Sequence, residues 1–501
     1  MNLTMLLDMA VDGFGDRIVV GSRDGGITAE RLQELSIAGA SAIREAGADA
    51  VVYLAVNGPA FPVAMFSAAR AGVPLVPVNY RLGREQLDGL LANHPRALGL
   101  ADPNQSGILE RNGIPFRTPR DWLDALAGAS ATDPEEPAET ASPAVVIYTS
   151  GTTSAPKGVL LHHDNLTSYV FGSVEFGSAD ESEAALVTLP PYHIAAVTNV
   201  LSNLYSGRRM VVLERFTPEL WLDTVRREEI THSLMVPTML ARIVDSDADK
   251  SVPSLRNLGY GGAPMPTPVI ERALRLWPRV GFVNAYGLTE TSSTVAVLGP
   301  EAHRAALASD DPAVRARLGS AGKVVPSVDL EIRDDQGHVV GPGVTGRIWV
   351  CGGQVSAEYA GIGRMLDDRG FFDTRDKGHL DEEGYLFVEG RADDTIIRGG
   401  ENIAPAEVED VLLRHPAVED VAVVGMPDEE WGQRLEAAVV LRPGQRADAE
   451  ELRTFVRNTL RSSKTPDRIV FWDELPRTET GKLVRRHVVR QLAGEGRAAA
   501  V

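Results

Sequence analysis

The run Val51-Val-Tyr-Leu-Ala-Val56, a helix-like Ala60 to Ala71, and then Val73-Pro-Leu-Val-Pro-Val78 limit the fold more than any other stretch. Two short apolar strands joined through a helix lie side by side and parallel, and a parallel sheet needs helices over its faces. The same alternation resumes after residue 144. It predicts strands at Ala185–Thr188, Met210–Leu213, His232–Val236 and Gly281–Ala285, and helices at Pro218–Glu229, Met239–Asp245 and Pro266–Leu276. Short alternating runs with glycine turns from Val328 to Val350 predict a small antiparallel β region. Beyond Gly390 a separate block carries a helix at Ala406–Leu413, strands at Val418–Val424 and Leu435–Leu441, a helix from Asp448 and a strand at Ile469–Trp472. At 501 residues the chain exceeds one ordinary core. The expected fold is therefore α/β. A large N-terminal domain, residues 1–390, has parallel-type sheets covered by helices plus the small β region. A small α+β C-terminal domain, residues 391–501, follows. Residues 132–143 are acidic, proline-bearing and unpatterned, as in a surface linker.

Charge excludes some partners. The net charge is −19 with no basic run, which argues against nucleic acid and anionic membrane. One cysteine, Cys351, cannot form an internal disulfide, and its place after Gly346-Arg-Ile-Trp-Val350 suits a structural thiol in a reducing compartment. The first residues carry Asp8 where a signal peptide would carry positive charge, and no apolar run reaches membrane-spanning length. A soluble, cytoplasmic protein with no integral membrane segment is expected.

Chemistry first shows in Tyr148-Thr-Ser-Gly-Thr-Thr-Ser-Ala-Pro-Lys157, closed by Gly158 and set between the apolar runs Ala144–Ile147 and Val159–Leu161. Strand, loop and strand follow from that pattern. The loop offers hydroxyls, backbone N–H groups and one lysine, with little bulk, and so can surround a polyphosphate. It is not a Walker loop, because the lysine is followed by glycine. A Ser/Thr/Gly stretch alone is more often a surface turn; its downstream company raises this one.

Six stretches, in order, resemble the adenylate-forming superfamily of acyl- and aryl-CoA synthetases, peptide-synthetase adenylation domains and luciferases. They are Tyr148–Gly158, Leu189-Pro-Pro-Tyr-His-Ile194, Gly259-Tyr-Gly-Gly-Ala-Pro-Met265, Asn284-Ala-Tyr-Gly-Leu-Thr-Glu290, Phe372–Asp376 with Gly390–Asn402, and Pro476–Lys482. The resemblance implies ATP-dependent activation of a carboxylic acid to an acyl adenylate, then transfer to coenzyme A, with Mg²⁺ as cofactor and a mobile C-terminal domain. It implies an ATP site built from Thr149, Ser150, Gly151, Thr152, Thr153, Lys157, Gly262, Ala263, Pro264, Asn284, Ala285, Tyr286, Gly287, Leu288, Thr289, Asp376, Val388, Arg391 and Lys482. Glu290 and Thr152 would serve the metal, Asp376 the ribose hydroxyls, and Lys482 the α-phosphate and substrate carboxylate. His193 would border the carboxylate, as a positioning group. The implied acid pocket includes His193, Ile194, Ala195, Ala196, Met235, Val236, Gly262, Ala285, Gly287, Ser292 and Ser293, small or apolar residues suited to an acyl or aryl monocarboxylate. In the family the small domain turns about the position of Asp393, exchanging Lys482 for a segment, here Gly399-Gly400-Glu401, that lines a tunnel for the CoA thiol.

His162-His163-Asp164 is rejected as a metal site, because adjacent residues on a strand point to opposite faces. Three departures from the family pattern stand out: Arg347 in place of an acid, Ser154-Ala155 in the phosphate loop, and Arg375 where Thr-Gly-Asp is usual. Arginine does not take positive φ cheaply, so an ordinary turn is expected at Arg375. Its side chain is left to reach a phosphate, meet a nearby acid or fill the turn, the last being favoured. Two other functions stay in view. The acceptor is instead a carrier protein or an amine, or the chain binds nucleotide without catalysis. The joint presence of Lys157, Glu290, Asp376, Arg391 and Lys482 speaks against the last.

Overall fold

The computed structural model describes residues 1–129, 142–149, 156–398, 401–428, 431–460, 462–478 and 481–498. Most of the predicted linker lies outside them, as do Ser150–Ala155 and Gly399-Gly400.

Among the described residues the large region carries two long sheets. One runs, from edge to edge, through Lys323–Val324, Ser293–Leu298, Gly281–Leu288, Asn257–Gly261, His232–Met235, Ala184–Val187, Arg209–Val212, Ile18–Val20 and Ile27–Thr28. Its centre, from Arg209–Val212 to Gly281–Leu288, is parallel throughout. The other joins Leu75–Pro77, Ala50–Leu54, Ala97–Ala101 and Phe116–Arg117 in parallel, and adds the antiparallel pair Val145–Thr149 and Lys157–Leu161 at one side. The helices Ala29–Glu45 and Ala60–Ala71 bury Leu32, Ile43, Phe61, Val63 and Phe66 in the core of this layer. A second core gathers Trp221, Leu240, Leu258, Tyr260 and Phe282. Burying a side chain of this size is worth ~1.5–3 kcal/mol, so these two clusters hold the site's floor rigid.

The expected small β region is a four-stranded antiparallel sheet of Asp329–Arg333, Gly346–Cys351, Phe372–Leu380 and Leu386–Arg391. Cys351 ends its second strand, partly buried. After a short turn, Ala392–Asp394, a separate sheet begins at Ile396 and is built on the long hairpin Val418–Asp428 and Gly432–Leu441. The helices Pro405–Leu413 and Ala449–Thr459 cover it, with Val408, Leu412, Leu452 and Val456 buried. The fold class is as expected from sequence, with strand ends moved by a residue: Ala184–Val187 and Arg209–Val212 each start one position early. Strand Gly281–Leu288 runs further than expected because it pairs on both sides. No helix among the described residues is long and apolar enough to cross a membrane.

Candidate active site

The two long sheets bring their polar loops to one cleft. Strand Asn257–Gly261 lies parallel to Gly281–Leu288, with Gly261 opposite Ala285. A Cβ on Gly261 would stand 2.3 Å from the Ala285 carbonyl oxygen, so the two strands meet here only because the position is glycine. Gly262, Ala263 and Pro264 continue that bare wall, with Gly262 and Pro264 exposed. Asn284 has its amide committed, donating to the Ser320 carbonyl at 2.9 Å. Val388 and Tyr286 both pack against the core of the β region.

Tyr286 reaches across to the β region, where its hydroxyl donates to Asp376 Oδ2 at 2.6 Å. Arg391 approaches the other oxygen, Nε to Oδ1 at 3.1 Å, and donates from Nη1 to the Thr374 carbonyl at 2.8 Å. Asp376 is 7 % exposed. Burial pushes its carboxyl up, and Arg391, the Tyr286 hydroxyl and Lys482 oppose that rise. Tyr286 itself is held well above the ordinary phenol range, by burial first and by the Asp376 charge second.

Glu290 follows the same strand in a short turn, Thr289–Thr291. Its carbonyl accepts from the Ser356 and Ala357 N–H groups at 2.9 and 3.1 Å. Its Oε1 accepts from the Tyr359 hydroxyl at 2.8 Å. Tyr359 was not singled out from sequence. It sits in Glu358–Tyr359, too short a strand to leave a period-2 signal, and pairs with Val159 next to the phosphate loop. Lys157 Nζ lies 5.8 Å from the centre of its ring. The loop itself is closed by the pairing of Thr149 with Lys157, while Ser150, Gly151, Thr152 and Thr153 lie outside the described residues. No group of three or more acidic, histidine or cysteine side chains gathers to hold a metal among the described residues. A lone carboxylate such as Glu290 still suits Mg²⁺, which is commonly held by one or two carboxylates plus substrate phosphates.

His193 caps the helix Ile194–Ser206, with its ring 4.7 Å from that of Tyr192. Burial lowers its pKa to about 4, so the imidazole is neutral at pH 7. Ala195, Ala196 and Val236 do come together, in a small cluster with Leu189. Ile194 is packed in the first large core and Met235 in the second. Ser292 and Ser293 take φ of +51° and +96°, and Ser292 is fully buried.

The C-terminal unit contributes Lys482. Gly481, at φ +75°, seats its backbone against Thr238, where a Cβ would meet Oγ1 at 2.5 Å. That docking carries Lys482 into the field of Asp376, Asp394 and Glu290, whose charges raise its pKa. The side chain is open to the cleft, yet the surrounding protein desolvates the ammonium enough, with help from Arg391, to lower its pKa on balance. Arg485, also missed from sequence, clamps this loop's base through Glu409, at 2.6 and 2.9 Å, and lies 3.5 Å from Asp394. Asp393 is exposed in the turn between the units. Glu401 pairs with Arg398 on the edge hairpin of the C-terminal sheet.

Two expectations fail. Arg375 takes φ +61° rather than an ordinary turn. Asp373 Oδ1 accepts its N–H at 2.8 Å, and the Thr374 hydroxyl bonds both Ile348 O and Asp376 N, at 2.8 and 3.1 Å. These bonds fix the bend and override a penalty of ~1–2 kcal/mol. His162, His163 and Asp164 are not on a strand but at a strand-to-helix junction, because the helix starts at His163. They still cannot chelate together: His162 Nε2 meets Glu358 at 3.1 Å, and His163 Nδ1 accepts from Leu3 N at 3.0 Å.

Comparison with known proteins places this geometry. A model of the AMP-binding enzymes matches residues 7–360, and one of the AMP-binding enzyme C-terminal domain matches residues 407–482. The chain is 36% identical over 466 residues to a feruloyl-CoA synthase of Amycolatopsis, covering 90% of this chain and 91% of that one. It is 35% identical over 481 residues to an indoleacetate–CoA ligase of Aromatoleum aromaticum, covering 90% of each. Among solved structures, o-succinylbenzoate CoA synthetase of Bacillus subtilis with its acyl-adenylate superposes with a TM-score of 0.83 at 29% identity, over 96% of this chain and 97% of that one.

Proposed function

The chain belongs to the AMP-binding enzyme family, and on that premise we propose that it activates an apolar aryl or acyl monocarboxylate in the cleft between its two units. It is an AMP-forming acid–thiol ligase, with ATP, Mg²⁺ and coenzyme A as its reaction partners. In the first half-reaction a carboxylate oxygen attacks the α-phosphorus of ATP, an O–P bond forms, and pyrophosphate leaves with the electrons of the broken P–O bond. Two anions meet in that step, so cations and donors govern the barrier.

Lys157 and residues 149–153 hold the outer phosphates. Asp376 accepts the ribose hydroxyls beside Arg391, and the wall Gly262–Pro264 lies along the base. Glu290 would hold Mg²⁺, which when bound would screen the phosphate charge. Lys482 contacts the reacting oxygens. His193, neutral, positions the carboxylate by hydrogen bonding. In the second half-reaction the C-terminal unit turns about Asp393, and the CoA thiol enters past Gly399–Glu401. Its sulfur bonds to the acyl carbon as the thiol proton passes to solvent, the acyl C–O bond breaks, and AMP leaves with that bond's electrons. The observation that carries this reading is the gathering of Tyr286, Arg391 and Lys482 about the buried Asp376.

The aryl preference is supported by the small, apolar cluster of Ala195, Ala196 and Val236 and by the acids named for the two relatives. A cytoplasmic location fits one free cysteine and an acidic surface. The test is a panel of cinnamic, indolic, benzoic and fatty acids assayed for AMP release with and without CoA. CoA-dependent AMP from aryl acids is expected. Release with a carrier protein or amine, and none with CoA, would overturn the choice of acceptor; no AMP from any acid would overturn the reading.

A further inference from the structure

We infer that Arg375 is a ligand of the ATP polyphosphate, supplied by this chain at a turn where the family pattern has glycine. The inference rests on the ATP-dependent reading above and adds a residue to it. Three observations carry it.

First, the conformation is costly, and the hydrogen bonds that impose it use the backbone and Thr374 rather than the arginine side chain. Arg375 stands at φ +61°, where a Cβ is disfavoured and glycine is not. Strain of this kind persists where the surroundings impose it, and it concentrates at functional sites. The side chain is exposed, and among the described residues it makes no hydrogen bond or ion pair; only its backbone N–H is used.

Second, its two neighbouring acids in the chain, and Glu290, already have partners. Asp376 is held by Tyr286 at 2.6 Å and Arg391 at 3.1 Å. Asp373 faces Arg347 at 3.3 Å and accepts the Arg375 N–H. Glu290 accepts from Tyr359. A guanidinium left over beside satisfied carboxylates suits an anion that comes from outside, and it binds phosphate oxygens in a fork.

Third, its field falls on the phosphate side of the cleft. Arg375 acts on the Tyr359 hydroxyl, favouring the ionised form against burial and Glu290. Lys157, at the end of the phosphate loop, lies over the same ring at 5.8 Å. Arg375 is thus one residue from the carboxylate assigned to ribose, and its charge reaches the Tyr359 hydroxyl whose ring Lys157 approaches, so the inferred contact is with the outer phosphates.

The test compares wild type with Arg375→Gly and Arg375→Lys, titrated with Mg-ATP and separately with AMP, with no acid or acceptor present. Loss of a charge-assisted bond weakens ATP about tenfold or more in Arg375→Gly. Arg375→Lys falls between that variant and wild type. AMP affinity stays within about twofold. The melting temperature of ligand-free Arg375→Gly holds or rises, because glycine relieves the strained φ. ATP affinity within threefold of wild type would overturn the inference and leave the ligase reading standing, as would an equal loss for AMP. A fall in melting temperature with ATP affinity unchanged would make Arg375 a turn-filling residue and also overturn it. Failure of the wild type to bind Mg-ATP would overturn both.

Discussion

The two sides of the cleft are built differently. On the N-terminal side each reactive group is held by another: Asp376 by Tyr286 and Arg391, and Glu290 by Tyr359 and two backbone amides through its carbonyl. On the C-terminal side Lys482 arrives on a loop whose seat is the contact of Gly481 with Thr238, aided by Thr267 to Asp410 at 3.1 Å and Arg442 to Asp245 at 3.7 Å. One side is preorganised among packed strands; the other docks through a few polar contacts. A preorganised donor needs no rearrangement as charge develops, whereas a docked one can be withdrawn between steps. The asymmetry suits two reactions that share a nucleotide but not an attacking group.

Acid should break the preorganised side first. His163, His193, His232 and His303 each have a pKa lowered to about 4, mainly by burial, and all lie in the large region. The unfolded chain then binds more protons than the folded one between pH 6.5 and 4. Their contribution is complete above pH 6.5 and is lost as the pH falls toward 4. Together they amount to several kcal/mol, on the order of 1 kcal/mol or more each. Calorimetry from pH 7 to 4 should show the large region's transition moving down steeply; a flat melting temperature would contradict the neutral, buried imidazoles.

Next in size is the docked side. Lys482→Ala should slow adenylation by ~30- to 1,000-fold, or ~2–4 kcal/mol, while thioester formation from a pre-made acyl adenylate stays near wild type. Equal losses in both steps would erase the contrast between the two sides. Asp393→Pro fixes one backbone torsion in the turn between the units. About a tenfold loss in thioesterification is expected, with adenylation less affected. Wild-type rates in both steps would move the hinge elsewhere. Tyr286→Phe tests the held side at one bond. It removes a donor from a buried carboxylate, at a cost of ~1–3 kcal/mol shared between stability and ATP binding. A change in neither melting temperature nor KM for ATP would show that Asp376 is not held through Tyr286.

What sequence could tell follows from how far each signal reaches. The alternation around Val51–Val78 depends on local apolar patterning, and it yielded the parallel sheet at once. The phosphate hairpin, the Tyr286–Glu290 segment and the C-terminal lysine loop carry compact signatures, and the structure brings Tyr286, Glu290 and Lys482 together around Asp376. Tyr359 was illegible because its partner is distant in sequence and its strand is two residues long. Arg485 reads as one of many surface cations until the fold sets it against Glu409. Arg375 was misread for another reason. The rule that arginine avoids positive φ is sound on average, but three hydrogen bonds around Thr374 outweigh it here. Met235 is buried in the second core, while its neighbour Val236 joins the small cluster with Leu189 and Ala196.

The pairing of Thr149 with Lys157 has a consequence for how this chain can vary. That register works as a ruler. A strand's side chains alternate faces, so a shift of one residue would turn Lys157 away from the cleft and carry Val159 and Leu161 out of their buried positions with it. The number of residues between Thr149 and Lys157 is therefore constrained independently of their chemistry. In a library of this hairpin, single insertions or deletions should be rare among folded members, and a rescued deletion should carry a compensating one on the partner strand.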